Sequence, residues 1–449
     1  MPRNFRLNGR LTIVFIFLAL LIVGCTTYIP HGEIVPIDKL AKYNPKDFAN
    51  KKKSTNNSSV DEDEWIIKAI FYEQKNDFKK SNIYYKKLYN ITQKEEYLLK
   101  EIKTALYSGV TSKNIIKLKE YVSKYPEKLV AKRLLLSSYL YEKKYEEAKD
   151  VSKLLLTQST EAVDFELSAN PYIFTKDYPS AVRLLTQAYN KSHNENILLK
   201  ITTILVNYMG DISEAILRLE NHRTVQECSE KVCLQLINIY FQQNRVSKII
   251  PLYKNLYKST KKELYAEKVI ESYLYLKDYN KAVNFLQTEY KNVELLYSLY
   301  IEQKKFKKAD NLSRKLIAKT NDPKWYAESA MALYESSSDK NDKVMLAEVI
   351  KRFEIAVEKG IENSVYLNYY GYTLIDKNIN IKKGIKIIKR VLEEQPDNSY
   401  YLDSLAWGYY KLGDCTKALE LMKKVVKIEG LKEDEIRNHW NLINQKCKK

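Results

Sequence analysis

The chain has little glycine. Eleven occur in 449 residues, and only Gly109 and Gly210 lie between Ile34 and Lys359. Loops that cradle phosphates need glycines close together, so GxGxxG and GxxxxGK[ST] sites have nowhere to form over that span. Folds rich in hairpins also draw on turn glycines, and the scarcity points to helices joined by short loops. Histidine is scarcer still. His31, His193, His222 and His439 stand far apart, with no HExxH, no GxSxG and no cysteine suitably spaced for a histidine partner. CxxC zinc spacing is absent. The carboxylates fall in helical surface runs such as Tyr145-Glu146-Glu147. These absences argue against an enzyme, and no cofactor, metal or small-molecule substrate is expected.

What is abundant is charge and tyrosine. Lysine and arginine number 75 against 56 acidic residues, a net charge of +19, and tyrosine occurs 37 times. Lysine is dispersed rather than gathered in one block. Such a surface is either simply solvated or attractive to anionic partners: phospholipid headgroups, cell-wall polymers or acidic proteins.

Near the N-terminus Arg3, Arg6 and Arg10 precede an apolar run, Leu11 to Val23, with no acidic residue. Thirteen helical residues span about 20 Å, short of the ~30 Å hydrocarbon core. A basic start, a short apolar run and a small residue at its end describe a secretory signal. The ending Ile22-Val23-Gly24-Cys25 resembles the bacterial lipobox. That resemblance implies cleavage after Gly24 and acylation of Cys25. Thr26 after the lipid-bearing cysteine, rather than Asp, implies the outer membrane by the rule known for enteric bacteria. An exported chain is not expected to meet nucleic acid.

Residues 25–64 read as a lipidated flexible tether, with three of the ten prolines and a polar finish. Its root-mean-square reach is about 30 to 35 Å. The acidic run Asp61 to Glu64 suits the first turn of a following helix, at the positive end of its dipole.

Beyond the tether the sequence repeats. NDFKKSNIYYKKL (76–88), KKYEEAKDVSKLL (143–155), KDYPSAVRLLTQA (176–188), KDYNKAVNFLQTE (277–289) and GDCTKALELMKKV (413–425) share one pattern. Each has a polar turn pair, usually an aromatic, then a small residue within a helical apolar pattern. The small-residue position recurs at Ser81, Asn114, Ala148, Ala181, Ala215, Ile249, Ala282, Ala309, Val349, Gly384 and Ala418. Most steps are 33 to 35 residues, with one of 27 and one of 40. Tyrosine stands nine places upstream in many repeats, as at Tyr72, Tyr139, Tyr172 and Tyr409. A helix–turn–helix period of ~34 residues resembles the tetratricopeptide (TPR) repeat, from Trp65 to Gly430. Leu405-Ala406, Tyr409, Gly413-Asp414, Ala418, Met422 and Val425 fall on its signature positions. The resemblance implies an all-α, right-handed superhelical solenoid of about eleven helix pairs over 65–430. The amphipathic run with Ile436, Trp440 and Ile443 apolar then supplies a cap helix within 431–449. His439 is expected on the polar face of that helix. The 27-step predicts a truncated second helix near Thr288 to Asn292, and the 40-step an insertion at 336–342. Pro251 lies just inside an expected second helix.

Four cysteines remain besides Cys25. Cys228 and Cys233 are five apart at a repeat junction, and the antiparallel cap helix brings Cys447 back toward Cys415. Disulfides Cys228–Cys233 and Cys415–Cys447 are expected in an exported protein, against free thiols packed as small hydrophobes. A row of aromatics, Tyr107, Tyr141, Phe174, Tyr208 and Tyr275, stands two places beyond the tyrosine slot, interrupted by Gln242. It either grips an extended or helical peptide or packs helix ends between repeats. The carboxylate clamp of chaperone-binding TPR proteins is missing. Its positions read Arg133/Ser137, Glu166/Asn170 and Lys200/Ile204.

Together the resemblances imply a lipoprotein on the outer membrane, facing the periplasm, that serves as a scaffold for proteins of a cell-envelope complex. Its contacts would be the membrane, through the lipid, and protein partners, through the repeat groove. The alternatives are a structural part of a flagellar motor or type IV pilus, and an adaptor of peptidoglycan enzymes.

Overall fold

The structure is a computed structural model that describes residues 59–109 and 112–447. The expectations for the signal (1–24), Cys25 and the tether up to residue 58 lie outside the described residues. Among the described residues there are α-helices and no strand. They fall into two compact units, residues 59–268 and 269–447.

The first unit holds α1 (Ser59–Gln74), α2 (Phe78–Thr92), α3 (Glu95–Tyr107), α4 (Ser112–Lys124), α5 (Leu129–Tyr141) and α6 (Tyr145–Leu156). It continues with α7 (Ala162–Phe174), α8 (Tyr178–Ser192), α9 (Glu195–Ile204), α10 (Ile212–Val225), α11 (Glu230–Gln242) and α12 (Val246–Thr260). The division between units falls within α13 (Glu263–Tyr275). Then come α14 (Tyr279–Thr288), α15 (Val293–Glu302), α16 (Phe306–Thr320), α17 (Pro323–Ser336) and α18 (Lys343–Glu358). The last are α19 (Ser364–Asp376), α20 (Ile381–Glu394), α21 (Ser399–Lys411), α22 (Cys415–Glu429) and α23 (Asp434–Cys447). Each odd helix from α1 to α21 is the first of a pair and the even helix after it the second. That makes eleven pairs followed by the cap helix α23.

Within both units each helix packs chiefly on its chain neighbours, and first helices touch the first helices of adjacent pairs. The small-residue positions explain this closeness. Ala148, Ala181, Ala215, Ala282, Ala309 and Ala418 have no exposed surface, and Ser81 Oγ donates to the Ala69 carbonyl across its pair at 2.9 Å. At Gly384 a Cβ would sit 2.6 Å from the Gly371 carbonyl oxygen, so only glycine allows α20 to lie this near α19. No single pair encloses its own apolar face, so the core runs from pair to pair. One cluster joins Leu98 and Ile102 to Leu134, Ala148 and Leu167 through buried side chains.

The polar turn pairs have a common geometry. Their first residue takes a left-handed conformation, at Asn76, Lys143, Lys176, Asn244, Lys277 and Lys304 as well as Gly109, Gly210 and Gly413. An aspartate often follows and caps the second helix. Asp77, Asp177, Asp211, Asp278 and Asp414 each accept from the backbone N–H three residues on. The chain thus makes its tight turns with lysine and asparagine where glycine is the easier choice.

The irregular steps have local causes. The 27-step reflects two short helices, α14 and α15, of ten residues each. The 40-step is taken up between α17 and α18, at 337–342. Pro251 sits inside α12, which continues through it. After α9 comes a single π turn, Leu205–Met209, ended by Gly210 at φ +68°. In the second repeat it is Ile115 that is buried, next to the expected Asn114, whose side chain is outside the described residues.

One expectation is met and one needs correcting. The first helix starts at Ser59 and carries Asp61 and Glu62 in its first turn, as expected of the acidic run. Its acidic turn is partly engaged, since Glu62 accepts from Tyr97 Oη at 2.8 Å and pairs with Lys94. His439 is not on a polar face. It is 5% exposed, because α23 turns Ile436, His439 and Ile443 together toward the preceding helices.

Candidate functional site

The aromatic row lies at the C-terminal ends of the first helices, and the structure shows what each ring meets. Tyr107 stacks on Phe78 with centroids 4.5 Å apart, Phe174 on Tyr145 at 5.0 Å, and Tyr208 on Tyr178 at 4.7 Å. In each case the partner is the first residue of the preceding pair's second helix. Offset stacks of this kind add about 0.5–1.5 kcal/mol beyond area burial. The spacing is 29 residues for the first two and 30 for the third. The π turn before Gly210 takes up the extra residue.

Not every rung has such a partner. Twenty-nine places before Tyr141 the sequence has Ser112. Tyr141 lies instead over the turn glycine, where a Cβ on Gly109 would be 2.8 Å from its hydroxyl. Tyr141, Tyr208 and Tyr275 are 46, 42 and 46% exposed, while Tyr107 and Phe174 are half-buried. The packing role is therefore real for Tyr107 and Phe174. In the first unit Tyr141 and Tyr208 keep open ring surface, two repeats apart. Tyr275 lies in the second unit. The aromatic at the start of the second helix was visible in the repeats as NDF, KKY and KDY. Its spacing to the next row position was the signal that pairs the rings.

The positions where a carboxylate clamp would sit are occupied by ion pairs between neighbouring repeats. Arg133 donates from Nε and Nη2 to the two oxygens of Asp164 at 2.6 and 2.7 Å, and from Nη2 to Glu161 at 2.7 Å. Asp164 has no exposed surface. Its charge is compensated by the bidentate guanidinium and by the Ser159 hydroxyl. Lys200 pairs with Glu166 at 2.8 Å, and Ser137 donates back to the Arg133 carbonyl.

The second unit carries a different concentration of buried polar groups. Glu328 of α17, 4% exposed, accepts from Tyr366 Oη at 2.6 Å, and Tyr297 Oη donates to its backbone carbonyl at 2.9 Å. Burial pushes the Glu328 carboxyl above its ordinary range, against the pull of the tyrosine hydroxyls. Tyr369 donates to Glu335 at 2.9 Å. At the C-terminal end His439 Nδ1 lies 2.9 and 3.0 Å from the Asp403 oxygens, and Trp407 stacks on the imidazole at 4.2 Å. Tyr372 Oη is 3.5 Å from His439 Nε2 and donates to Glu435. Both faces of this histidine's hydrogen-bonding capacity are thus directed at protein groups, and the cluster fixes α23 against α19 and α21.

The other two described histidines are structural too. His222, 3% exposed, joins Tyr189 Oη at 2.7 Å and Glu195 at 3.2 Å, while His193 takes the left-handed position that ends α8.

Cys228 and Cys233 are joined as a disulfide with Cα atoms 5.6 Å apart, at the start of α11. Cys415 and Cys447 are joined with Cα atoms 5.2 Å apart, tying the start of α22 to the end of α23. Both separations lie in the usual range for a bridge.

No family model matches the chain. A TPR repeat-containing protein of Pseudomonas aeruginosa is 26% identical over 104 residues, which cover 23% of this chain and 18% of that relative. The chain thus matches less than a fifth of that relative's length. The relative and the chain's own helix pairs support a TPR repeat protein. Among solved structures, yeast Tom70 matches over 86% of this chain and 95% of its own, at 11% identity and a TM-score of 0.35. The C-terminal part of a TPR repeat-containing protein from Cytophaga hutchinsonii matches over 68% and 99%, at 13% identity and a TM-score of 0.31. With superpositions this loose, the pair spacing within the chain itself carries the repeat reading.

Proposed function

We propose that this chain is a lipid-anchored scaffold of the cell envelope. Cys25 holds it to the outer membrane, and its repeats bind protein partners in the periplasm without catalysis. The observation that carries the binding reading is the pair Tyr141 and Tyr208. They occupy equivalent row positions two repeats apart and keep open ring surface, Tyr208 even while stacked on Tyr178, whereas Tyr107 and Phe174 are half-buried. Exposed tyrosine offers a large ring at low entropic cost, with a hydroxyl left for a hydrogen bond. A rigid row of such rings suits an extended or helical peptide segment. The dispersed lysines favour a partner with acidic residues flanking that segment. Export is supported by the basic start, the short apolar run and the Ile22-Val23-Gly24-Cys25 sequence, and suits a chain with two disulfides.

The test is crosslinked recovery of partners from cells expressing the chain or its Tyr141→Ala, Tyr208→Ala double variant. Loss of specific partners from a variant with unchanged helicity and melting supports the row. Unchanged recovery ends it. Cys25→Ser, followed by membrane fractionation, tests the anchor separately. A variant that stays in the outer-membrane fraction would remove the lipid from the proposal.

A further inference from the structure

The Cys228–Cys233 bridge encloses the start of α11, and that start is a point by which one repeat grips the next. Glu230, the first residue of α11, accepts from Lys262 Nζ, just before α13, at 2.7 Å. It also accepts from the hydroxyl of Tyr265, in the first turn of α13. All three residues belong to the first unit. Ser229 caps α11, its Oγ accepting from the Val232 N–H at 3.3 Å.

The same grip recurs at the first junction, where Glu62 accepts from Tyr97 and pairs with Lys94. The spacings are identical, 32 residues to the lysine and 35 to the tyrosine. There the glutamate is the fourth residue of α1, so nearly a turn of helix precedes and holds it. Glu230 has no helical residue before it. An open cleft of about 720 Å³ lies between Ser229, Glu230 and Lys231 and the start of α9 at Asn194, Glu195 and Asn196. Val225, at the end of α10, is 83% exposed, and Gln226 and Glu227 after it are exposed too. A helix end so placed frays readily. Val232 and Cys233 have no exposed surface and anchor the far side of this turn in the core. Only the bridge ties the near side to them covalently.

We propose that Cys228–Cys233 is a redox-controlled clasp. Oxidised, it holds Glu230 on Lys262 and Tyr265; reduced, it lets the start of α11 fray and release the start of α13. The two sulfurs differ in access, because Cys228 is half-buried while Cys233 is fully enclosed. The reductant is a protein dithiol of the CxxC class, whose thiolate attacks Cys228 Sγ. The S–S bond breaks and its electron pair leaves on Cys233, in the first turn of α11 at the positive end of the dipole. That thiolate takes up a proton. The second thiolate of the reductant then displaces Cys228 from the mixed disulfide, and Cys228 is protonated in turn. Two electrons and two protons pass to this chain, and the reductant is left as a disulfide. The clasp depends on neither the proposed lipid anchor nor the tyrosine row.

Hydrogen–deuterium exchange on the full chain, with dithiothreitol as the dithiol, tests the clasp. Alkylation and peptide mapping follow which bridge has opened. Expected is opening of Cys228–Cys233 with helicity unchanged, and amides in 266–270 then exchanging about fivefold faster, as loss of one ordinary hydrogen bond gives. The Cys228→Ala, Cys233→Ala double variant, which keeps the cap bridge, shows the fast rate without reductant and gains nothing from it. Glu230→Ala is fast at 266–270 from the outset and equally indifferent to dithiothreitol. Three results overturn the proposal. The first is a bridge that opens only as helicity is lost. The second is an open bridge with 266–270 still at the oxidised rate. The third is a Glu230→Ala chain that still responds to reductant at 266–270, which routes the effect away from Glu230.

Discussion

His439 Nδ1 faces both oxygens of Asp403, at 2.9 and 3.0 Å, across the junction between the cap helix and the first helix of the last repeat. The two residues are 36 apart in sequence and each is 5% exposed. Trp407 covers the imidazole face, and Tyr372 with Glu435 closes the far side. A cap helix needs an apolar face toward the array and a polar one toward water. This one adds a buried polar lock, which fixes its rotation as Ile436 and Ile443 alone would not.

Removing one partner of this lock leaves the other buried without its hydrogen bond. His439→Ala is expected to cost about 2 to 3 kcal/mol, with α23 loosening before the rest of its unit. Exchange of amides in 434–447 is the direct readout. A variant with wild-type protection there, and an unchanged denaturation midpoint, would show that the lock contributes nothing.

Glu328 gives the second unit a defined pH dependence. Burial raises its carboxyl in the folded chain above the value it has unfolded. Its stabilising contribution is therefore complete below the unfolded pKa of about 4.3 and is lost as pH rises through the folded value. Glu328→Gln keeps an acceptor for Tyr366 and removes the ionisation. The variant should be the more stable at pH 8, with the gap narrowing toward pH 4.5. Denaturation midpoints at both pH values decide it, and a gap that widens on acidification would contradict the sign.

The ~34-residue period and the small residues showed the helix pairs and even the irregular steps, because pair packing is written into spacing. The last repeat was the plainest, since Gly413-Asp414 and Ala418 keep the commonest residues at the turn and the contact. His439 was harder to place. Between Ile436 and Ile443, residues 439 and 440 both fit the buried stripe, and Trp440 is the more apolar. Only Asp403, on another helix, makes His439 the inward residue. The aromatic row was legible as a row but not as stacks, because the partner of each ring lies 29 or 30 places upstream. Ser112 at that place leaves Tyr141 open, but Tyr208 stays open although Tyr178 stacks on it, so the upstream residue alone does not decide exposure.

The turn lysines offer a route to added stability. Lys143 and Lys176 have φ of 59° and 61°, in the slot that Gly109, Gly210 and Gly413 fill in other repeats. A left-handed conformation costs an L-residue roughly 1–2 kcal/mol, and glycine returns about 0.5–1 kcal/mol of this through its freer unfolded chain. Lys143→Gly and Lys176→Gly should each stabilise by about 0.5–1 kcal/mol and, lying in different turns, add. Gly413→Lys, at φ 82° with open space around it, should lose a similar amount. Thermal melts of the three variants test the sign in both directions.

The Cys415–Cys447 bridge closes a loop 32 residues long around the cap, whereas Cys228–Cys233 closes one of five. By the chain-entropy relation the first is worth about 3 to 4 kcal/mol and the second about 2. Unreduced protein should be lighter than its reduced form by four hydrogen masses, with both pairs recovered as linked peptides. Cys415→Ser should then release α23 and raise exchange across 434–447 far more than Cys228→Ser disturbs the start of α11. Loss of the first bridge also leaves the His439–Asp403 and Tyr372–Glu435 contacts as polar holds on the cap. Combining Cys415→Ser with His439→Ala should therefore unfold α23 more than the sum of the two single effects. Strict additivity in exchange rates would mean that bridge and lock act on the cap independently.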